Sequence, residues 1–166
     1  MPLKINGPLV LVPINLDYTE EVFENFTEAV IRYLLVEEVP KQREDTMAFI
    51  ETSMEQRQKG TDLVWVILYM QQFAGCCGLH NIQTKQPHFG IWLREELQGK
   101  GLGKQVVQYV LNWGLDNLEV EFIKYPVDQR NTPSVRLIRG LGLKVFDHYQ
   151  AGVKKLLEID EYRLYK

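Results

Sequence analysis

Gln98-Gly99-Lys100-Gly101-Leu102-Gly103-Lys104 is the segment whose residue types and spacing point most directly to chemistry. Glycines let main-chain N–H groups approach an anion with no Cβ in the way. Val106, Val110, Trp113 and Leu118 follow at helical spacing, so the loop opens an amphipathic helix. The first N–H groups of a helix lack intrahelical partners, and its dipole favours negative charge there. With the strand-like run from His88 to Leu93 in front of it, the segment reads as a phosphate cradle. A structural turn that simply opens the helix is the alternative.

Spacing removes two nucleotide patterns. A dinucleotide Gly-x-Gly-x-x-Gly loop needs a further glycine where Gln105 and Val106 stand, and a Walker loop needs a hydroxyl where Gly103-Lys104 is followed by Gln105. A second segment, Asn131-Thr132-Pro133-Ser134 with Leu137 and Gly142-Leu143 behind it, lies further along the chain.

The first segment matches Gln/Arg-x-x-Gly-x-Gly/Ala, and the second is similar to Asn-x-x-Ser/Ala … Gly-Phe. Together they resemble the GNAT acetyltransferase superfamily. The Gly90-Ile91-Trp92-Leu93 strand leans toward its ribosomal-protein N-terminal acetyltransferase branch, the RimJ/RimL type. The likeness implies an α+β fold with a mixed central sheet of about six to seven strands and about four helices. It implies acetyl-CoA as donor and no metal. The coenzyme would enter where two parallel strands, His88–Leu93 and Val120–Val127, part. Ile91, Trp92 and Leu93 match the main-chain contact to pantetheine, with an N–H near Leu93 as oxyanion donor. Gln98, Gly99, Lys100, Gly101, Leu102, Gly103 and Lys104 match the pyrophosphate loop. Trp92 also reads as a packing residue.

Acetyl transfer needs a neutral amine, hence a base or a water chain, and a proton for the departing thiolate. The family's base positions hold Pro87 and Phe89, and its tyrosine position holds Ile138. None of these moves a proton. Ser134 is the candidate acid at the coenzyme sulfur, with helix capping as its competing role. Asn131 divides the same way between pantetheine binding and capping. His80 is the candidate base, since imidazole titrates near neutrality, and a structural histidine is its other reading. Strand alternation turns His88 to the face opposite Phe89. Glu37 and Glu38 either attract a cationic substrate or end a solvated helix.

The expected activity is transfer of acetyl to a primary amine, a protein N-terminus or a small amine, by direct attack in a ternary complex. A non-catalytic acyl-CoA binding or sensing module is the alternative. A homodimer stays open.

The elements that position these residues follow from periodicity and turn signals. Leu9 to Val12 reads as a strand closed by Pro13. One helix runs from Glu20 toward Val36 and ends before Pro40, and another spans Arg43 to Lys59 before Gly60. Leu63–Tyr69 and Phe73–Leu79 form a hairpin. A short helix over Pro133–Arg139 and strands over Leu143–Tyr149 and Leu156–Leu164 complete a single domain over residues 1–166.

The chain carries 25% charged residues and a net charge of −3, which gives no general attraction to nucleic acid. No apolar run approaches the roughly 18 residues of a membrane span, and Met1-Pro2-Leu3-Lys4 lacks a signal-peptide pattern. Adjacent Cys76 and Cys77 should face opposite sides of a strand as free thiols, which fits a cytoplasmic protein.

Overall fold

The computed structural model describes residues 1–166. One eight-stranded sheet runs in the order β1 (Leu3–Lys4), β2 (Leu9–Pro13), β3 (Asp62–Tyr69), β4 (Gln72–His80), β5 (His88–Leu93), β6 (Phe122–Asp128), β8 (Leu157–Tyr165) and β7 (Val145–Ala151). Every neighbouring pair is antiparallel except β5 and β6. The helices are α1 (Thr19–Asn25), α2 (Glu28–Ile31), α3 (Arg43–Lys59), α4 (Leu102–Asn117) and α5 (Thr132–Gly140).

The expected mixed α+β architecture is present, with one more strand and one more helix than the periodicity suggested. The extra strand is the two-residue β1, too short for an alternation pattern to register. The extra helix arises because the first helical stretch breaks after Asn25. Thr27 supplies its hydroxyl oxygen to the Val30 N–H and starts α2, while the Phe26 ring packs at a tilt against Trp92, centroids 5.0 Å apart. A local cap and a tertiary aromatic contact thus override an uninterrupted apolar stripe.

Two features of the sheet position the site. The β3–β4 hairpin turns through Met70 and Gln71, both at positive φ (51° and 66°), and Tyr69 pairs with Gln72. A two-residue turn of this hand matches strand twist and sets the register. A bulge at Ala74 then shifts the register by one residue, so that at the far end of the hairpin Asp62 stands opposite His80, and His80 in turn stands opposite His88 on β5.

The second feature is the parting of β5 and β6. Their ladder holds one residue pair, His88 with Lys124. Lys124 N–H donates to the Pro87 carbonyl at 2.9 Å, so the next β6 residue whose amide would point at β5 is Pro126, which has none. Proline inside this strand ends the ladder on one side, while pairing with β8 continues to Asp128. The two strands are free to diverge toward Leu93 and Asp128.

Alternation gives the two sheet faces different cover. Leu79, Phe89, Ile123, Tyr125 and Val127 pack beneath Val106, Val107, Val110 and Leu111 of α4 and Ile138 of α5. Burying each such aliphatic side chain contributes roughly 1.5–3 kcal/mol. A smaller cluster on the opposite face joins Val64, Val66, Phe73 and Cys76 to Val22 of α1 and Ile50 of α3. Cys76 and Cys77 fall in different clusters as free, buried thiols, and burial pushes both thiols up, away from reactive thiolate.

Candidate active site

On the α4 side of the parted strands, residues 98–104 form a turn built from main chain. Gly99 (φ +73°) and Gly101 (φ +81°) both occupy left-handed conformations, and nothing lies within 4 Å of a Cβ built on either. An L side chain there meets strain rather than crowding, roughly 1–2 kcal/mol. Gly101 is also the N-cap of α4, with no side-chain cap on the first N–H groups. Gln98 folds back and donates from Nε2 to the Leu93 carbonyl at 2.9 Å, tying the turn to the end of β5. Lys100 projects from the exposed turn and Lys104 from the first turn of α4.

Gly103 is where α4 meets α5. A Cβ there would touch Leu137 at 3.4 Å and Leu93 at 3.7 Å. That close approach packs α5 against the first turn of α4. Asn131 is the N-cap of α5 and accepts from the Ser134 N–H at 3.5 Å. Burial pushes the Tyr125 phenol up, and a hydrogen bond with the Ser134 side chain opposes that shift. The helices that follow the two motifs, far apart in sequence, thus pack on each other.

Main-chain direction along β5 follows from the same ladder. Pro87 points its carbonyl at β6, so Phe89, Ile91 and Leu93 direct main-chain groups that way, and no β6 residue pairs beyond His88. Ile91 and Leu93 therefore offer amides to the opening. Trp92 turns the other way, and its side chain packs on Phe26 and Phe73.

On the opposite face the parted strands open into a cavity of about 850 Å³ bounded by α1, α3 and the 32–42 segment. Its floor carries three polar groups. His80 Nδ1 lies 2.7 Å from Asp62 Oδ2, and its ring stacks on His88 with centroids 5.0 Å apart. Gly78 makes room for that ring, since a Cβ there would come within 2.9 Å of His80 Nε2. Burial, together with His80 and Lys124 nearby, drives His88 down to about 4, so its imidazole is neutral near pH 7. The histidine pair stands at the last rung between β5 and β6, at the apex of the divergence.

Residues 8–144 match the model of the acetyltransferase (GNAT) domain. The chain belongs to this family. An uncharacterized N-acetyltransferase, p20, of Bacillus licheniformis is 24% identical over 106 residues, which span 61% of this chain and 60% of that protein. The chain thus matches less than two thirds of that relative's length. Among solved structures, the microcin C7 self-immunity acetyltransferase in complex with acetyl-CoA and AMP superposes with a TM-score of 0.89 at 21% identity, covering 99% of this chain and 96% of that one. The RimL ribosomal-protein alpha-N-acetyltransferase in complex with coenzyme A gives 0.90 at 16% identity, covering 99% and 98%. Spermidine N-acetyltransferase from Vibrio cholerae, in complex with CoA and spermine, gives 0.81 at 16% identity, covering 96% of each chain. At these identities the likeness is one of fold.

In this GNAT domain the two glutamates of the 32–42 segment are already engaged. Glu37 accepts from the Val153 N–H at 2.8 Å and the Lys155 N–H at 3.0 Å, and Glu38 accepts from Lys154 Nζ at 2.7 Å. Those bonds hold both carboxyls below the usual range. Lys155 Nζ completes the clamp by donating to the Ile31 and Val36 carbonyls, both at 2.7 Å. Glu38 also lines the cavity; Glu37 sits in the clamp. Ile138 is fully buried core.

Three contributors were not singled out from sequence. Asp62 was hidden by a bulge: counting outward from Met70-Gln71 places it opposite Leu79, and the one-residue shift at Ala74 moves it opposite His80. Pro126 was readable as a proline inside a strand. Gly78 carries no sequence signal, because its role is the space it leaves for a neighbouring ring.

Proposed function

We propose that the chain transfers an acetyl group from acetyl-CoA to a primary amine within a ternary complex. The observation that carries this reading is the apex. There the parted strands join a main-chain anion site on one face to a cavity floored by neutral His88 and Asp62-paired His80 on the other. The residues fit the donor: open left-handed glycines and uncapped amides suit a pyrophosphate, and the free Ile91 and Leu93 amides suit an amide-bearing arm.

Acetyl-CoA supplies an activated thioester whose carbonyl carbon gains the amine nitrogen as its bond to sulfur breaks. His80 takes the proton from the incoming ammonium, and Asp62 holds Nδ1 so that Nε2 faces the amine. Leu93 or Ile91 N–H receives the charge developing on the carbonyl oxygen. Ser134, backed by Tyr125, hydrogen-bonds the departing sulfur and passes to it the second proton that the nitrogen sheds on forming the amide, so that sulfur leaves as the thiol. Asn131 holds Ser134 in place through the α5 cap.

A non-catalytic acyl-CoA module is the second reading, favoured by buried Ile138 where relatives carry a tyrosine acid. Calorimetric titration of acetyl-CoA, followed by thiol release across an amine panel, separates the two. Transfer requires release above background that falls in His80→Ala. Binding with background release for every amine supports the module.

A further inference from the structure

Resting on that reading of the cavity as the acceptor site, we infer that Lys155 is a positioning residue for the amine, because it holds the 32–42 segment closed over the cavity as a roof. Tyr33, Leu34, Val36, Glu38 and Val39 of that segment line the cavity. The segment joins α2 to α3 and belongs to no helix or strand. From Arg32 to Pro40 it makes one main-chain hydrogen bond, Leu34 N–H to the Ile31 carbonyl at 2.9 Å. So little backbone bonding gives a segment low local stability, and its position then depends on tertiary contacts.

Those contacts come from the β7–β8 turn. Gly152 (φ +101°) closes it, and a Cβ there would collide with the Lys155 carbonyl. The closed turn presents the Val153 and Lys155 N–H groups to Glu37, one to each carboxylate oxygen. Lys155 Nζ reaches further and donates to the carbonyls of Ile31 and Val36. Ile31 is the last residue of α2 and is buried, whereas Val36 belongs to the roof. One ammonium thus ties the roof to a fixed point of the fold.

Exposure separates the two lysines of the turn. Lys154 Nζ meets Glu38 where the side chains are 72% and 53% exposed, and such surface pairs contribute little. The Lys155 bonds are part-buried, and the Val36 carbonyl has no other hydrogen bond. Removing Nζ leaves that carbonyl unpaired, which costs more than losing a surface pair. An acceptor held beneath the closed roof then loses apparent affinity in proportion to the fraction of molecules that stay closed. Residues 98–104 make no hydrogen bond to the clamp, so donor binding is insulated from it.

The test compares Lys155→Met, which keeps an apolar stem and removes the ammonium, with Lys155→Arg, which keeps donors for both carbonyls. Hydrogen exchange followed by NMR reads the roof through the Leu34 and Val153 N–H groups, the second of which Glu37 holds. In Lys155→Met both should exchange about tenfold faster while the amides of α4 keep their rates, and Lys155→Arg should match the wild type. Steady-state transfer is measured with phenethylamine, spermidine and a Ser-Ala dipeptide amide. For each amine accepted, Lys155→Met should raise the amine KM about tenfold, with kcat within about twofold and an unchanged Kd for acetyl-CoA. Glu37→Gln, which leaves one acceptor for two N–H groups, should raise the same KM about threefold, and the double variant should fall well short of the product of the two effects. Unchanged exchange at Leu34 and Val153, or an amine KM unmoved by Lys155→Met, overturns the inference. Parallel loss of kcat and acetyl-CoA binding also overturns it, since that marks a general structural role. Background thiol release by the wild type with every amine overturns the transfer reading instead, and the exchange rates then decide the clamp alone.

Discussion

The two ends of the site are made from different materials. The proposed donor end, from Leu93 through Gly103, is built of main chain: left-handed glycines, uncapped amides and a strand that has lost its partner. The proposed acceptor end is built of side chains, namely an Asp62–His80–His88 floor beneath aromatic walls. Main-chain recognition depends on backbone conformation and tolerates side-chain change. Side-chain recognition is set residue by residue, so acceptor choice can vary on a constant donor site.

That contrast yields variants that should act on one end only. Gly101→Asp should have the largest effect, lowering acetyl-CoA affinity at least hundredfold in calorimetry. It places an L residue at φ +81° and a carboxylate where phosphate is received. Unchanged affinity would mean that the turn is only a helix start. His80→Ala should lower kcat by about 10²–10⁴ while leaving acetyl-CoA affinity unchanged, and added imidazole should restore part of the rate. Equal loss of donor binding would show that the two ends are not separable.

Gly78→Ala should be milder. Its methyl group displaces the His80 ring, with a fall in kcat of roughly tenfold and an intact donor site. The smallest effect is on stability. Between the ordinary histidine value of 6.5 and the folded value of about 4, the unfolded chain takes up the His88 proton and the folded chain does not. Stability contributed by neutral His88 is therefore complete above pH 6.5 and declines as pH falls toward 4. Thermal melts of His88→Phe should show a flatter slope across that window, and an unchanged slope would remove His88 from the titration.

The same contrast governs what could be read before the fold was known. Gln98 to Gly103 and Asn131 to Ser134 are contiguous motifs whose geometry is local: each sets the start of its own helix, α4 and α5. The acceptor floor joins residues from three strands, and its key pair depends on hairpin register rather than proximity in sequence. Alternation sent His88 to the face opposite Phe89, but the cavity on that face comes from a broken first helix. Thr27 and Phe26 create that break by capping and by packing on Trp92, which an apolar stripe continuing to Tyr33 and Val36 conceals. Glu37 and Glu38 read as substrate-attracting charge or a solvated helix end because the Val153–Lys155 segment that engages them lies at the other end of the chain.

A crystal structure with a bisubstrate analogue, coenzyme A joined through an acetyl bridge to an amine, tests most directly whether the two ends serve one reaction. The expected result is pantetheine between β5 and β6, pyrophosphate on the 98–104 turn, and the amine nitrogen within hydrogen-bonding distance of His80 Nε2. An analogue whose amine leaves on the α4 face, away from His80, would contradict the account.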